Sequence, residues 1–171
     1  MIRVDTATRI LKLGDQSYPC VIGKGGAIRA NDKREGDGCT PLGRWPIRGA
    51  LLRRDRTTLA ATPLIPWRWI GSQDGWSDAP DDPAYNRPVC LPHRCSHERL
   101  WRDDRAYDIV IVLGHNDNPP VPGRGSAIFF HIWVLDDAEQ PKPTEECVAV
   151  SPHDMQAILP QLRPDDIMDI I

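Results

Sequence analysis

The sequence predicts a mainly β, α+β fold, on three observations. Two apolar runs, the β-branched residues 107–114 and residues 127–134, read as buried strands. The 17 prolines and 13 glycines are spread along the whole chain and break it into short elements. A helix start signal followed by an apolar face occurs clearly once, from Ser151. At 171 residues, without an internal repeat or linker, the chain reads as one domain over 1–171. A chain of that size buries about two-thirds of its unfolded surface, so neither a metal nor a disulfide framework is needed to hold it.

In order, residues 9–13 and 17–22 flank Gly14-Asp15-Gln16 and predict a hairpin. Residues 31–43 are polar and glycine-rich and predict a structured loop, and 44–53 another strand. Residues 55–95 carry Pro63, Pro66, Pro80, Pro83, Pro88 and Pro92, and read as an irregular cover with Trp67, Trp69 or Tyr85 on a cleft wall. Residues 96–103 are expected as a short helix. Ser151 caps the main helix, with Pro152 at its first position and Met155, Ile158, Leu159 and Leu162 on its apolar face. Residues 167–170 suggest a final strand.

Composition excludes several roles. With 21 basic and 24 acidic residues the net charge is −3, which offers no broad footprint for nucleic acid. No apolar run approaches the roughly 18 residues of a membrane span. Residues 1–10 lack the continuous apolar core of a signal peptide. The five cysteines include a tight quartet with histidine, Cys90, His93, Cys95 and His97. Structural zinc sites clamp a loop between two separated ligand pairs, so this quartet is expected to be plain surface loop, with no metal or other cofactor. Cys20 and Cys39 suit core or turn positions.

The candidate chemistry is His131 inside an apolar strand and Cys147 sixteen positions later, ahead of the apolar run 147–150. If the two runs lie side by side, the imidazole can serve the thiol as base in a nucleophilic site. The spacing alone equally suits a core histidine and an inert buried cysteine.

Ordered motifs add to this pair. Thr40-Pro41-x-Gly43 and Pro143-Thr144-x-x-Cys147-Val148, with residues 32–37, 84–88 and 123–128, resemble the L,D-transpeptidase (YkuD) catalytic domain, in particular a short single-domain subgroup, over nearly the whole chain. The resemblance implies a mixed β-sandwich or barrel-like catalytic domain with a few short helices. It further implies a cysteine acyltransferase acting on peptidoglycan stem peptides, with Cys147 as nucleophile and His131 as base. The backbone N–H groups of Glu145, Glu146 and Cys147 would form the oxyanion hole. The subgroup is associated with 1–3 links between L-Ala and diaminopimelate, favoured here over 3–3 links. Stem peptides would be donor and acceptor, and carbapenem-type β-lactams covalent inhibitors.

Two departures stand out. Glu146 occupies the place where the family usually has glycine, and Val148 to Ser151 lack its frequent arginine. Both Glu145 and Glu146 are expected to face solvent, since carboxylates beside the thiol would disfavour the thiolate. Arg124 and Arg87, with Lys33 and Arg34, are candidates for the stem-peptide carboxylates, and His115, Asn116 and Tyr85 for the cleft. The alternatives are an L,D-carboxypeptidase or endopeptidase using water as acceptor, and a non-catalytic wall-binding or metal-binding module. The substrate implies the periplasm or cell envelope.

Overall fold

A computed structural model describes residues 1–59 and 61–171. Among them are thirteen strands: β1 (Ile2–Asp5), β2 (Ile10–Leu13), β3 (Gln16–Pro19), β4 (Ala27–Arg29), β5 (Thr40–Leu52), β6 (Trp67–Trp69), β7 (Asp74–Ser77), β8 (Pro88–Cys90), β9 (His97–Arg99), β10 (Ile109–Leu113), β11 (Phe129–Ile132), β12 (Val148–Val150) and β13 (Ile167–Ile170). The predicted hairpin is β2–β3, with Leu13 opposite Gln16 and Gly14 at φ +58° in its turn. One helix, α1 (Pro152–Ile158), starts as expected: the Ser151 hydroxyl accepts from the Asp154 N–H.

Ten strands form one sheet, in the order β12-β11-β10-β5-β13-β1-β2-β3, with β4 and β6 also on β5. The long β5 joins the two halves: Gly43 to Pro46 pair with β13, and Ile47 to Leu52 with β10. The sheet then nearly closes, because Val21, just beyond β3, exchanges both backbone hydrogen bonds with Ala149 of β12. Closure shields edges that would otherwise stay open. The remaining three strands form a small sheet, β8-β7-β9.

Alternation along the strands sorts the residues between two cores. Ile109, Ile111, Leu113, Phe130, Ile132, Val148 and Val150 point inward and pack with Met155 and Ile158 of α1. Val110, Phe129 and Cys147 belong to the opposite face, where they meet Ile70, Leu100 and Tyr107 in a second cluster. The larger cavity lies on this outer face, between the barrel-like sheet and the small sheet.

Residues 96–103 do not form the expected helix. The segment instead contains β9, held by β7 through the pairs Ser77–His97 and Gly75–Arg99, and this pairing overrides the weak local helix signal. Residues 55–95, expected as an irregular cover, contain β6, β7 and β8. Trp67 and Trp69 pack edge to face at 5.0 Å against the main core and present nothing to the cleft. Among the described residues, no helix is long and apolar enough to cross a membrane.

Candidate active site

Parallel pairing of β11 with β12 sets His131 opposite Ala149, two positions past Cys147. Side chains two apart share a face, so the imidazole and the thiol emerge from the same side of adjacent strands. Both line a cavity of about 970 Å³ walled by residues 97–99 and 101–104, Tyr107, Ser126, Ala127 and the 142–147 turn.

The imidazole is oriented by the backbone: His131 Nδ1–H donates to the Ile132 carbonyl at 2.8 Å, so in the neutral ring Nε2 is the nitrogen without a proton. The edge of Tyr107 packs on the ring at 5.3 Å between centroids. Burial pushes His131 down to about 4, so the ring is neutral near pH 7. The same burial, with Glu98 nearby, pushes the Cys147 thiol well above its ordinary value. In this resting geometry the thiol donates to the Ala127 carbonyl and accepts from the Phe129 N–H, both at 3.3 Å. The pair therefore rests as neutral thiol and neutral imidazole.

The turn before Cys147 is held from several sides. The Thr144 hydroxyl donates to the Cys147 carbonyl at 2.7 Å, and Thr40 Oγ1 lies 2.9 Å from the Glu146 carbonyl while accepting from Gly23 N–H. Gly23 sits where three segments cross: a Cβ there would lie 2.4 Å from the Gly38 carbonyl and 3.1 Å from that of Glu145. The N–H groups of Glu145, Glu146 and Cys147 have no acceptor among the described residues, and none of the three residues has a positive φ. Glycine's freedom is thus not needed at 146.

The expectation that both glutamates face solvent holds for Glu145, which is exposed and pairs with Lys24. It fails for Glu146, which is buried. Its carboxylate meets Lys33 Nζ at 2.8 Å and accepts from Gly38 N–H at 3.2 Å. The cause is Lys33 itself: its ammonium is fully buried, also binds Asp37 and the Arg34 carbonyl at 2.7 Å each, and draws Glu146 inward. Lys33 is therefore committed and not a surface ligand for substrate.

The other sequence candidates are not brought to this cavity. His115, Asn116 and Arg124 line a separate cavity of about 330 Å³ with Trp45. There His115 Nε2 contacts the Arg124 carbonyl, and Asn116 ties Val121 and Gly125. Tyr85 is buried, its hydroxyl on Glu35, and Arg87 donates to the Asp117 carbonyl at 2.6 Å. The cations that do line the main cavity are Arg99, Arg102 and Lys142. Sequence reasoning also missed Glu98 and Tyr107 there. It missed Asn86, which joins His115, Asn116, Trp76 and Ala127 behind the site. The quartet Cys90, His93, Cys95 and His97 does not converge. Instead Asp82 joins His93 and Cys95 within 4.8 Å, the Asp82 carboxylate already engaged by Ser77, Ala84 and His93.

Fold and cavity together define a mostly β protein that presents a thiol and an imidazole from the outer face of a nearly closed sheet. Residues 1–170 match the family model of the L,D-transpeptidase catalytic domain, YkuD, and the chain belongs to that family. The family acts on peptidoglycan peptides. No curated protein and no solved structure matches the chain.

Proposed function

We propose that residues 1–171 act as one catalytic domain, a cysteine acyltransferase that cross-links peptidoglycan stem peptides through a thioester on Cys147. The observation that carries this reading is the shared cavity of Cys147 and His131, with the imidazole oriented by the Ile132 carbonyl. His131 Nε2 takes the thiol proton as sulfur attacks a carbonyl at an L-configured centre, and then protonates the leaving amine. The uncommitted N–H groups of Glu145, Glu146 and Cys147 receive the oxyanion, each such donor contributing about 3–4 kcal/mol in the transition state. Arg99 and Lys142 on the cavity lining replace Arg124 and Arg87 as partners for stem-peptide carboxylates, since Asp104 already holds the Arg102 guanidinium at 2.6 and 2.9 Å.

In the second half, an amine of diaminopimelate attacks the thioester. The C–N bond forms, the C–S bond breaks, and the surplus proton on nitrogen passes through His131 to the thiolate. Resemblance of the loop motifs to the short subgroup supports 1–3 links over 3–3 links. A hydrolase reading, with water as acceptor, shares the same thioester.

Mass spectrometry of the protein incubated with diaminopimelate-type muropeptides separates these readings. Dimers whose fragments join L-Ala to diaminopimelate are the expected product. Shortened monomers without dimers would make the protein a carboxypeptidase or endopeptidase. The substrate places the activity in the periplasm or cell envelope, and fractionation finding the untagged protein wholly in the cytosol would overturn that. Carbapenem-type β-lactams are expected to acylate Cys147, because they deliver a carbonyl to the site. Iodoacetamide is expected to react slowly even with active protein, since it depends on the free thiolate that burial suppresses.

A further inference from the structure

The cavity wall facing the thiol is acidic and incompletely satisfied. Cross-strand register sets Glu98 of β9 opposite Trp76 of β7, and the Asp78 N–H donates to the Ser96 carbonyl at 3.3 Å. Trp76, Asp78 and Glu98 therefore share one face of the small sheet. That face is turned toward the outer face of β11, where Trp76 meets Phe129 edge-on at 5.2 Å.

Glu98 lines the cavity with its side chain 28% exposed. Its Oε1 accepts from the Tyr107 hydroxyl at 2.6 Å, and Arg102 stands 3.8 Å away. Its Oε2 has no hydrogen bond among the described residues. Two further polar atoms of the lining, Asp78 Oδ1 and the Oγ of the 4% exposed Ser126, are buried without a partner there. A buried polar atom left open is costly, and a group carrying several N–H donors would satisfy Asp78 Oδ1 together with Glu98 Oε2, which faces the cavity. A primary ammonium offers three donors and a positive charge, which two carboxylates favour.

We infer that Glu98 and Asp78 form the subsite for the ammonium of the acceptor stem peptide, and that Glu98 removes its first proton. The inference rests on the acyl-transfer reading above. An ammonium cannot attack. One proton passes to the Glu98 carboxylate, the neutral amine nitrogen bonds to the thioester carbon, and the C–S bond breaks. The second proton goes through His131 to the Cys147 sulfur, and Glu98 returns its proton to solvent. Burial, opposed by the Tyr107 hydroxyl and Arg102, holds Glu98 up at about 7, which suits a group that must take a proton near neutrality and release it again.

The test loads wild type, Glu98→Gln and Asp78→Asn with a stem-peptide donor. Each thioester is chased with diaminopimelate and, separately, with hydroxylamine, which is uncharged at neutral pH. Mass spectrometry reads thioester, amide and hydrolysed donor. The expected result is a ratio of diaminopimelate to hydroxylamine transfer at least tenfold lower in Glu98→Gln, with a smaller drop in the same direction in Asp78→Asn. An unchanged ratio, including one in which both chases slow together, would overturn the subsite and leave Glu98 a structural group. A wild-type protein that forms no thioester overturns the functional reading and this inference with it.

Discussion

Replacing His131 with alanine is expected to slow formation of the Cys147 thioester by about 10² to 10⁴, the usual range for losing a positioned general base. Cys147→Ala is expected to abolish the thioester altogether. The two losses differ in kind. His131→Ala keeps the nucleophile and the open N–H groups of the turn, so slow acylation persists and becomes more dependent on external base. The pH profile supplies a sharper check. Burial lowers His131 to about 4, so the ring is a competent base from roughly pH 5 upward. The acid limb of the acylation rate should fall near pH 4, whereas an exposed imidazole would place it near 6.5. Stopped-flow acylation by a chromogenic cephalosporin or carbapenem across pH 4–8 reads this directly. A midpoint at 6.5 would mean that the ring is solvated in the working protein. Stability carries the same sign: between pH 6.5 and about 4 the unfolded chain binds the proton and the folded one does not, so this histidine's contribution weakens as pH falls.

The pair was legible in the sequence for a local reason, and its surroundings were not. β10 is a β-branched run and β11 an aromatic and aliphatic one, both bounded by turns, and α1 has a serine cap and a proline at its first position, so each announces itself within a few residues. β7, β8 and β9 span three or four residues apiece, too short to show a period, and exist because each has a partner strand. Glu98 was hidden with them inside a segment that reads as helix. The imidazole's partner is a backbone carbonyl, which leaves no mark in a sequence. The direction of Glu146 depends on Lys33, which lies far earlier in the chain and looks there like one more charge in a polar loop.

Lys33 carries the largest expected effect on stability. Its ammonium has three donors, and all three are used, on Asp37, Glu146 and the Arg34 carbonyl. Lys33→Met would leave the Asp37 and Glu146 carboxylates without their cation. Breaking a buried ion pair from one side usually costs about 3–5 kcal/mol, which for a chain of this length lowers Tm by about 10 °C. Glu146→Gly removes a carboxylate, keeps the Lys33–Asp37 pair, and takes away the tie between the 33–38 loop and the nucleophile turn. Its expected cost is smaller, about 1–3 kcal/mol. The double variant should recover part of the Lys33→Met loss, because the more deeply buried of the two orphaned carboxylates is then gone. Urea unfolding of the four proteins gives the coupling energy, and additive losses would show that Lys33 and Glu146 do not support each other. Acid should erase the difference. Burial raises Asp37, but the Lys33 hydrogen bond and two backbone donors outweigh it and leave the carboxyl below 3.8. A depressed carboxylate contributes above its unfolded pKa and loses that contribution as pH falls through the folded one. The gap between wild type and Lys33→Met is therefore expected to be widest above about pH 5 and to close below pH 3.8. If Glu146→Gly instead raised acylation more than about tenfold, the ion pair would be holding the turn away from its working geometry, although no residue of 145–147 has a positive φ.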